Sequence, residues 1–255
     1  MAVATHRAVL RSTRPSWVLV GAAVLVQIVY PLVPDALTTA VTVCSVVVFF
    51  LASLVDVVRV HGVRGGVGLV GVAGGGGLVA EAVGLATGLP FGPYVYTGTL
   101  GPEILGVPVI VPLAWAMMAW PALVVGRALA RRTGGVVAIG TIALAAWDVF
   151  LDPQMVAAGH WVWLAPAPGL PLVPGVPLTN YVGWLVVGAL VIGGLARVLG
   201  PGPVSAPASG LYLWVYASSV LAHLVFFGLP GSALVGGVLM GAVAIPFAYV
   251  RLRRT

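Results

Sequence analysis

The segment Val107–Arg132, VPVIVPLAWAMMAWPALVVGRALARR, shows the pattern that decides the fold. Its first 20 residues carry no charged side chain, and Arg127, Arg131 and Arg132 follow them. An α-helix rises about 1.5 Å per residue, so about 20 apolar residues are enough to cross the hydrocarbon core of a bilayer. The pattern therefore predicts a membrane-spanning helix near 107–130, with its basic end at one membrane surface.

The same apolar character extends over the whole chain. Of its 255 residues, 60% are hydrophobic and 7% are charged, and the mean hydropathy is +1.12. Soluble domains carry about 25% charged residues. The apolar segments follow one another without a polar block, which predicts a single transmembrane domain over residues 1–255. The single Cys44 excludes a disulfide framework and a cysteine-rich metal site.

Eight segments of about 20 residues each are long enough to cross the membrane. The predicted fold is thus an all-α, polytopic integral-membrane bundle of about eight helices. The N-terminal segment has no small-residue cleavage site after its apolar run, so we expect it to be retained. The predicted spans lie near 17–34, 36–57, 67–89, 107–130, 134–151, 179–199, 209–228 and 232–250.

The arginines set the predicted orientation. With eight spans, all of them fall on one side of the membrane, which the positive-inside rule makes cytoplasmic. Both termini are then cytoplasmic, and the predicted location is the cell membrane. These basic helix ends account for the net charge of +6, so no nucleic-acid partner is predicted. The residues are Arg7, Arg11, Arg14, Arg59, Arg64, Arg127, Arg131, Arg132, Arg197, Arg251, Arg253 and Arg254.

Glu81 places a carboxyl group inside the third predicted span. Gly74, Gly77, Gly84 and Gly88 lie on the same helical face as Glu81. A stripe of small residues marks the close approach of another helix, so Glu81 is predicted to face the bundle and not the lipid. A carboxyl group at this depth is a candidate functional group. The alternative is a protonated glutamic acid that bridges helices structurally.

The sequence AWDVFLDPQM contains a second acidic motif. Asp148 and Asp152 are four residues apart and share a helical face if the helix continues through Asp152, with Pro153 expected to end it. Three interpretations stay open: an acid/base pair in which one carboxyl group remains protonated, a turn capped by Asp152, or a divalent-metal site for a diphosphate. The metal interpretation is the weakest, because the outer face offers no cationic partner for a diphosphate.

Aromatic residues gather on the outer side of the predicted topology. An interfacial aromatic belt explains any one of them, but no matching belt occurs on the inner side. The asymmetry therefore indicates a lined pocket, and aromatic faces also stabilise a cation. The two long outer loops, near 89–107 and 152–178, are apolar and are predicted to fold back into the interface. The aromatic residues are Tyr94, Tyr96, Trp115, Trp147, Trp161, Trp163, Tyr181 and Trp184.

Three further polar residues are weighed. His160 is expected to lie in an outer loop or at the interface, and His223 to be a hydrogen-bonded helix histidine. Both are too isolated to form a metal site. Asn180, at the start of the sixth span, serves either as a helix cap or as a group that orients a ligand.

Two blocks of the chain resemble a known family. The first is EAVGLATGLPFGPYVYTGTLGPEILGVPVIVPLAWAMM, and the second is AWDVFLDPQMVAAGHWVW followed by GVPLTNYVGWL. Together they cover about Glu81 to Leu185 and are similar to the membrane carotenoid-biosynthesis proteins that include the CruF-type carotenoid hydratases. The first two and last two helices match that family only in hydropathy.

The resemblance implies addition of water to the terminal carbon–carbon double bond of an acyclic or monocyclic carotenoid. It implies a carotenoid substrate and a lipid bilayer as surroundings, and other membrane enzymes of the carotenoid pathway are candidate partners. Acid-catalysed hydration requires no cofactor, and no metal is predicted. The oligomeric state is left open. Three alternatives remain: a carotenoid prenyltransferase or elongase, an end-group cyclase, and a non-catalytic carotenoid-binding membrane protein.

Acid catalysis through a tertiary carbocation assigns roles to the matching positions. Glu81 or Asp148 is expected to protonate the alkene, and the other of these carboxyl groups or Asp152 is expected to orient water. Aromatic side chains shield the cation. The expected catalytic residues are Glu81, Asp148 and Asp152. The expected substrate-binding residues are Tyr94, Tyr96, Trp115, Trp147, His160, Trp161, Asn180 and Trp184.

Overall fold

The chain folds into a bundle of long helices. The computed structural model describes residues 13–253; Arg7, Arg11 and Arg254, which the orientation prediction includes, lie outside this range. The all-α, polytopic fold class is confirmed. The helices are α1 Arg14–Val29, α2 Asp35–Gly68, α3 Gly76–Thr87, α4 Ile110–Leu129, α5 Thr133–Ala157, α6 Leu178–Leu199, α7 Ala206–Val225 and α8 Pro230–Leu252.

The α2–α3 segment explains how the helix count relates to the prediction. A π-helical turn, Leu69–Gly75, joins α2 to α3, so residues 35–87 are continuous and the described residues contain seven helices able to cross a membrane. These 53 residues would be about 80 Å long if straight, well beyond the roughly 30 Å apolar core of a bilayer. Instead the helix breaks at Gly62, whose φ of 74° is non-helical. Its two arms correspond to the predicted spans 36–57 and 67–89.

Contacts between the helices show that the chain reverses at Gly62. Gly68 at the end of α2 and Gly76 at the start of α3 approach Val198 and Val191 of α6, so the arm beyond Gly62 runs antiparallel to α6. By contrast, the arm before Gly62 runs parallel to α4. The Ser53 hydroxyl donates to the carbonyl of Met117 at 2.7 Å, and the Trp120 indole donates to Asp56 at 2.8 Å. Since α4 and α6 are both antiparallel to α5, the two arms of the α2–α3 segment point in opposite directions.

The reversal brings arginines from different helices to one end of the bundle. Arg59 beside the bend donates to the Ser205 hydroxyl at 3.3 Å. Arg127 at the end of α4 contacts His61 at 3.1 Å and donates to the carbonyl of Gly200 at 2.6 Å. The grouping matches the predicted basic end, here named the inner end. That this end faces the cytoplasm stays a prediction.

Helix α4 lies at the centre of the bundle. Most of its side chains are buried, including Trp115 and Trp120, which are almost completely enclosed. The other helices expose large apolar side chains, such as Leu190 at 71% and Val238 at 65%. Exposed apolar side chains of this size are compatible with contact to lipid, because lipid tails are as apolar as the interior of a protein. The chain is a multi-pass membrane protein.

Three prolines lie inside the described helices, and a serine compensates for two of them, Pro121 in α4 and Pro153 in α5. A helical proline has no N–H for the carbonyl four residues earlier. Below Pro121, the free carbonyl of Met117 accepts the Ser53 hydroxyl at 2.7 Å. Below Pro153, the free carbonyl of Val149 accepts the Ser232 hydroxyl at 2.6 Å.

This compensation corrects the predicted end of the fifth span. The helix was expected to stop at Pro153, with Asp152 in the outer loop, but α5 continues through Pro153 to Ala157. Because Ser232 of α8 replaces the missing backbone donor, the proline does not terminate the helix. Asp148 and Asp152 therefore lie one turn apart on the same intact helix.

The two long outer loops pair with each other, as folded-back apolar loops require. Strand β1, Tyr94–Tyr96, runs antiparallel to β4, Trp161–Trp163. A second small pair joins β2, Glu103–Ile104, to β3, Val107–Pro108. The strands satisfy backbone groups of the loops and place four aromatic residues over the outer end of the bundle.

Candidate active site

A small cavity lies under the paired loops at the outer end of the bundle. Its volume is about 60 Å³, room for a few water molecules but not for a large ligand. Eight of the eleven predicted site residues line it. They are Glu81, Asp152, Tyr94, Tyr96, Trp115, Trp161, Asn180 and Trp184.

Glu81 accepts three hydrogen bonds inside this cavity. The hydroxyl groups of Tyr94 and Tyr96 donate to Oε2 at 2.5 and 2.9 Å, and the Trp115 indole donates to Oε1 at 3.0 Å. All three partners are neutral donors, and both carboxylate oxygens are used as acceptors. This geometry suits an ionised carboxylate, because each donor compensates for lost contact with water.

The glycine stripe allows the aromatic donors to reach Glu81. A Cβ atom at Gly77 would lie 2.6 Å from the Trp115 ring, and one at Gly84 would lie 3.1 Å from the Tyr94 hydroxyl. Any side chain at these positions would displace the donors. Helix α3 ends at Gly88, whose left-handed conformation turns the chain towards β1. The predicted inward orientation of Glu81 is confirmed, since its side chain is buried.

Asp148 and Asp152 meet at a single amide group. Nδ2 of Asn180 donates to Oδ2 of Asp148 at 2.7 Å and also to Oδ2 of Asp152. The two carboxyl groups therefore lie close together in a buried environment. Oδ1 of Asp148 has no hydrogen-bond partner within residues 13–253. Asn180 joins the two carboxyl groups and does not cap α6, whose N-cap is Pro177; that it orients a ligand stays a prediction.

Paired strands position the aromatic wall. Tyr94 lies opposite Trp163 and Tyr96 opposite Trp161, with ring centroids 5.7 Å apart in each pair. Burial, and next the proximity of Glu81, raises the pKa of both Tyr94 and Tyr96 well above the ordinary value of about 10. Both phenols therefore stay protonated and remain hydrogen-bond donors.

The other side of the cavity is formed by indole rings. Trp115 and Trp184 stack with their centroids 4.1 Å apart, and the Trp147 ring packs edge-on against Trp184. The cavity is thus bounded by aromatic faces on one side and carboxyl groups on another. Such a site can hold an apolar group with a positive charge developing on it.

Three predicted residues lie outside the lining of this cavity. Asp148 is completely buried, and Trp147 lines a second cavity described below. His160 joins the loops: its Nδ1 lies 2.8 Å from the Thr99 hydroxyl, and its carbonyl accepts the backbone N–H of Thr97. Burial lowers the pKa of His160.

A second cavity of about 440 Å³ lies beside the first. Helices α1, α2, α5 and α7 surround it, and Trp147, Phe150 and Trp214 are among the residues of its wall. His223, the helix histidine of the prediction, also lines this space. Its two ring nitrogens contact the carbonyls of Ser219 and Phe150 at 2.8 and 3.0 Å, which ties α7 to α5.

Ten residues that line the first cavity are missing from the sequence-based site, and Trp163 and Phe91 are among them. Trp163 lines the cavity and donates to the carbonyl of Phe91 at 3.0 Å, and Phe91 itself fills the space beside Gly84 and Gly183. The sequence signal for Trp163 was its alternation with Trp161 in WVW, which places both on one face of a strand. Phe91 carried no comparable signal.

Within residues 13–253, no three or more histidine, cysteine, aspartate or glutamate side chains cluster as metal ligands do. The carboxyl groups of the cavity meet phenol, indole and amide donors instead.

Comparison with known proteins places the chain in a family. Bisanhydrobacterioruberin hydratase of Haloarcula japonica is 34% identical over 119 residues, which are 44% of this chain and 38% of that protein. The similarity thus spans less than two thirds of the relative's length. No solved structure matches the chain. A model described as "Carotenoid biosynthesis protein" matches residues 37–250, so the chain belongs to the family of carotenoid biosynthesis proteins.

Proposed function

We propose that this protein is a carotenoid hydratase that adds water to a terminal carbon–carbon double bond by acid catalysis. The observation that carries the proposal is the enclosure of Glu81, Asp152 and Asn180 with aromatic rings in one cavity. The similarity to a protein named as a hydratase supports the same reaction. Catalysis of this kind needs an acid, a wall that tolerates a cation and room for water.

Asp152 is the proposed proton donor. It faces the cavity, and its neighbour Asp148 shares the amide of Asn180 with it. Two adjacent buried carboxylates repel each other, so the pair favours a state that holds one proton. The acid transfers this proton to the less substituted carbon of the double bond, leaving a tertiary carbocation and a carboxylate.

Glu81 is proposed to act electrostatically. In this role Glu81 is a carboxylate that accepts three hydrogen bonds from neutral donors, and its charge stabilises the cation across the cavity. The rings of Trp115 and Trp184 cover the cation without a nucleophilic atom that would trap it. A water molecule then attacks the cation, and its extra proton returns to the aspartate pair. The net change is the addition of one water molecule, and the step itself calls for no cofactor.

Pigment analysis tests the proposal. Expression in a host that makes an acyclic carotenoid should yield a product heavier by one water molecule. Growth in ¹⁸O-labelled water should place the label in that product, because the oxygen comes from solvent. An unlabelled oxygenated product would indicate oxygenation, and an isomer without mass gain would indicate cyclisation. Either outcome would reject hydration.

A further inference from the structure

The two cavities differ greatly in size. Pockets that enclose a drug-sized ligand have volumes of about 300–1,000 Å³. The cavity with the carboxyl groups, about 60 Å³, is well below this range, whereas the second, about 440 Å³, lies within it. A long substrate can therefore place only a small end group beside Asp152. The rest of its chain has to occupy other space.

Four residues connect the two cavities. Thr42 and Val46 of α2 line both of them, and so do Leu151 and Met155 of α5. We name these four residues the passage. The Thr42 hydroxyl donates to the carbonyl of Thr38 at 2.9 Å, so it is satisfied within its own helix. The passage therefore offers a mainly apolar surface that continues from one cavity to the other.

The larger cavity suits an apolar chain. No arginine, lysine, aspartate or glutamate is among its lining residues in the described chain. Its deep polar groups have partners in the protein. The Trp214 indole donates to Oε1 of Gln27 at 2.7 Å, and both ring nitrogens of His223 contact backbone carbonyls. Aliphatic and aromatic side chains form most of the remaining wall.

We infer that a linear polyene threads the passage, with its terminal double bond beside Asp152 and its continuing chain in the larger cavity. This inference rests on the proposed function for the identity of the end group. Val46 and Leu151 then determine whether a long substrate is accepted, because the polyene passes between them. Ala222, on the α7 wall of the larger cavity, contacts the chain farther from the reacting end.

Substrates of two lengths distinguish the proposed path of the polyene from the catalytic step. Val46→Phe should narrow the passage and lower both the conversion and the retention of a full-length acyclic carotenoid by about tenfold or more. A short isoprenoid alkene with the same end group needs no passage, so its conversion should fall less than that of the full-length carotenoid. Ala222→Phe should show the same selectivity with a smaller loss, since it fills only the larger cavity.

Val79→Phe is the matched control. Val79 lies on α3 with 61% of its surface exposed and lines neither cavity. Substitution of phenylalanine at this position should change neither the conversion of the long or the short substrate nor the retention of pigment. Size-exclusion chromatography identifies folded protein, and if Val46→Phe fails to fold, Ala222→Phe decides the inference.

Bound pigment and product formation are measured separately, so the path of the polyene and the hydratase activity are tested independently. Pigment bound per purified protein reports the path even if the wild type adds no water to either substrate, a result that would reject only the hydratase. Equal losses for long and short substrates would overturn the path. Unchanged pigment retention in both filled variants would also overturn it and would assign the larger cavity to a lipid chain.

Discussion

The protein buries acidic residues at both ends of the bundle, and the two ends treat them differently. At the inner end, Asp56 forms an ion pair with Arg59 at 2.9 Å. It also accepts hydrogen bonds from Trp120 at 2.8 Å and Ser205 at 2.5 Å. At the outer end, Glu81 and Asp152 have no ion pair with any arginine among residues 13–253.

The difference shows that burial alone does not identify a functional acid. Asp56 is fully enclosed, but its charge is neutralised and it lines neither cavity. Its bonds tie α2 to α4 and to the start of α7, which is a structural role. Glu81 and Asp152 accept hydrogen bonds only from neutral donors, and both line the first cavity. Groups of this second kind can exchange protons with a ligand.

The largest expected effect is on catalysis at the outer end. Asp152→Asn keeps the shape of the side chain but removes the acid, so hydration should fall by about 10²–10⁴-fold. The measurement is product formed per folded protein by chromatography with mass spectrometry. Asp35→Asn, an exposed position at the start of α2, is the matched control and should retain activity. Substantial hydration by Asp152→Asn would remove the distinction between the two ends.

The corresponding change at the inner end should affect stability. Asp56→Asn leaves Arg59 without its ion pair and weakens two hydrogen bonds, so the free energy of unfolding should fall by about 1–3 kcal/mol. Thermal unfolding in detergent measures the loss. Hydration per folded molecule should stay close to wild type. A selective loss of activity without a loss of stability would contradict the structural role of Asp56.

A smaller catalytic effect is expected at the donors to Glu81. Tyr96→Phe removes one of three hydrogen bonds to the carboxylate, and we expect about a tenfold lower rate, equivalent to about 1.4 kcal/mol. Tyr249→Phe provides the control, because that side chain is exposed at the inner end of α8. Equal rates for both variants would show that the charge of Glu81 needs no support from the phenols.

The serine hydrogen bonds that compensate for the helical prolines should affect stability. Ser232→Ala leaves the carbonyl of Val149 without its donor and should lower the free energy of unfolding by about 1 kcal/mol. Ser53→Ala should do the same for the carbonyl of Met117 in α4. Thermal unfolding of both variants provides the measurement. No change in either would mean that the helices tolerate their prolines without the serines.

The smallest expected effect is the response of the outer loops to pH. Burial lowers the pKa of His160 below its ordinary value of 6.5, so the folded state prefers the neutral ring. The stabilising contribution is present above about pH 6.5 and is lost as the pH falls from there through the folded-state pKa. His160→Gln should flatten this acid-side loss in thermal unfolding curves. An unchanged curve would contradict the assignment to His160.

Periodicity predicted the helices well because apolar length and basic flanks are local properties. The boundaries of α6 and α8 differ from the predicted spans by one or two residues. The predicted end of α5 was wrong because Ser232, 79 residues beyond Pro153, supplies the missing hydrogen-bond donor. Asp56 is absent from the sequence-based candidates, although Arg59 three residues later was an available signal of an ion pair.

The sequence by itself determined that this is a multi-pass helical protein with its arginines at one end, and that Glu81 faces inward along a glycine stripe. These properties follow from hydropathy, charge and helical period within single segments. Only the tertiary structure decided that Glu81 and Asp152 share a cavity, that Asn180 joins Asp148 to Asp152, and that a larger cavity adjoins them. Those arrangements depend on how distant helices cross and on the pairing of β1 with β4, which no single segment encodes.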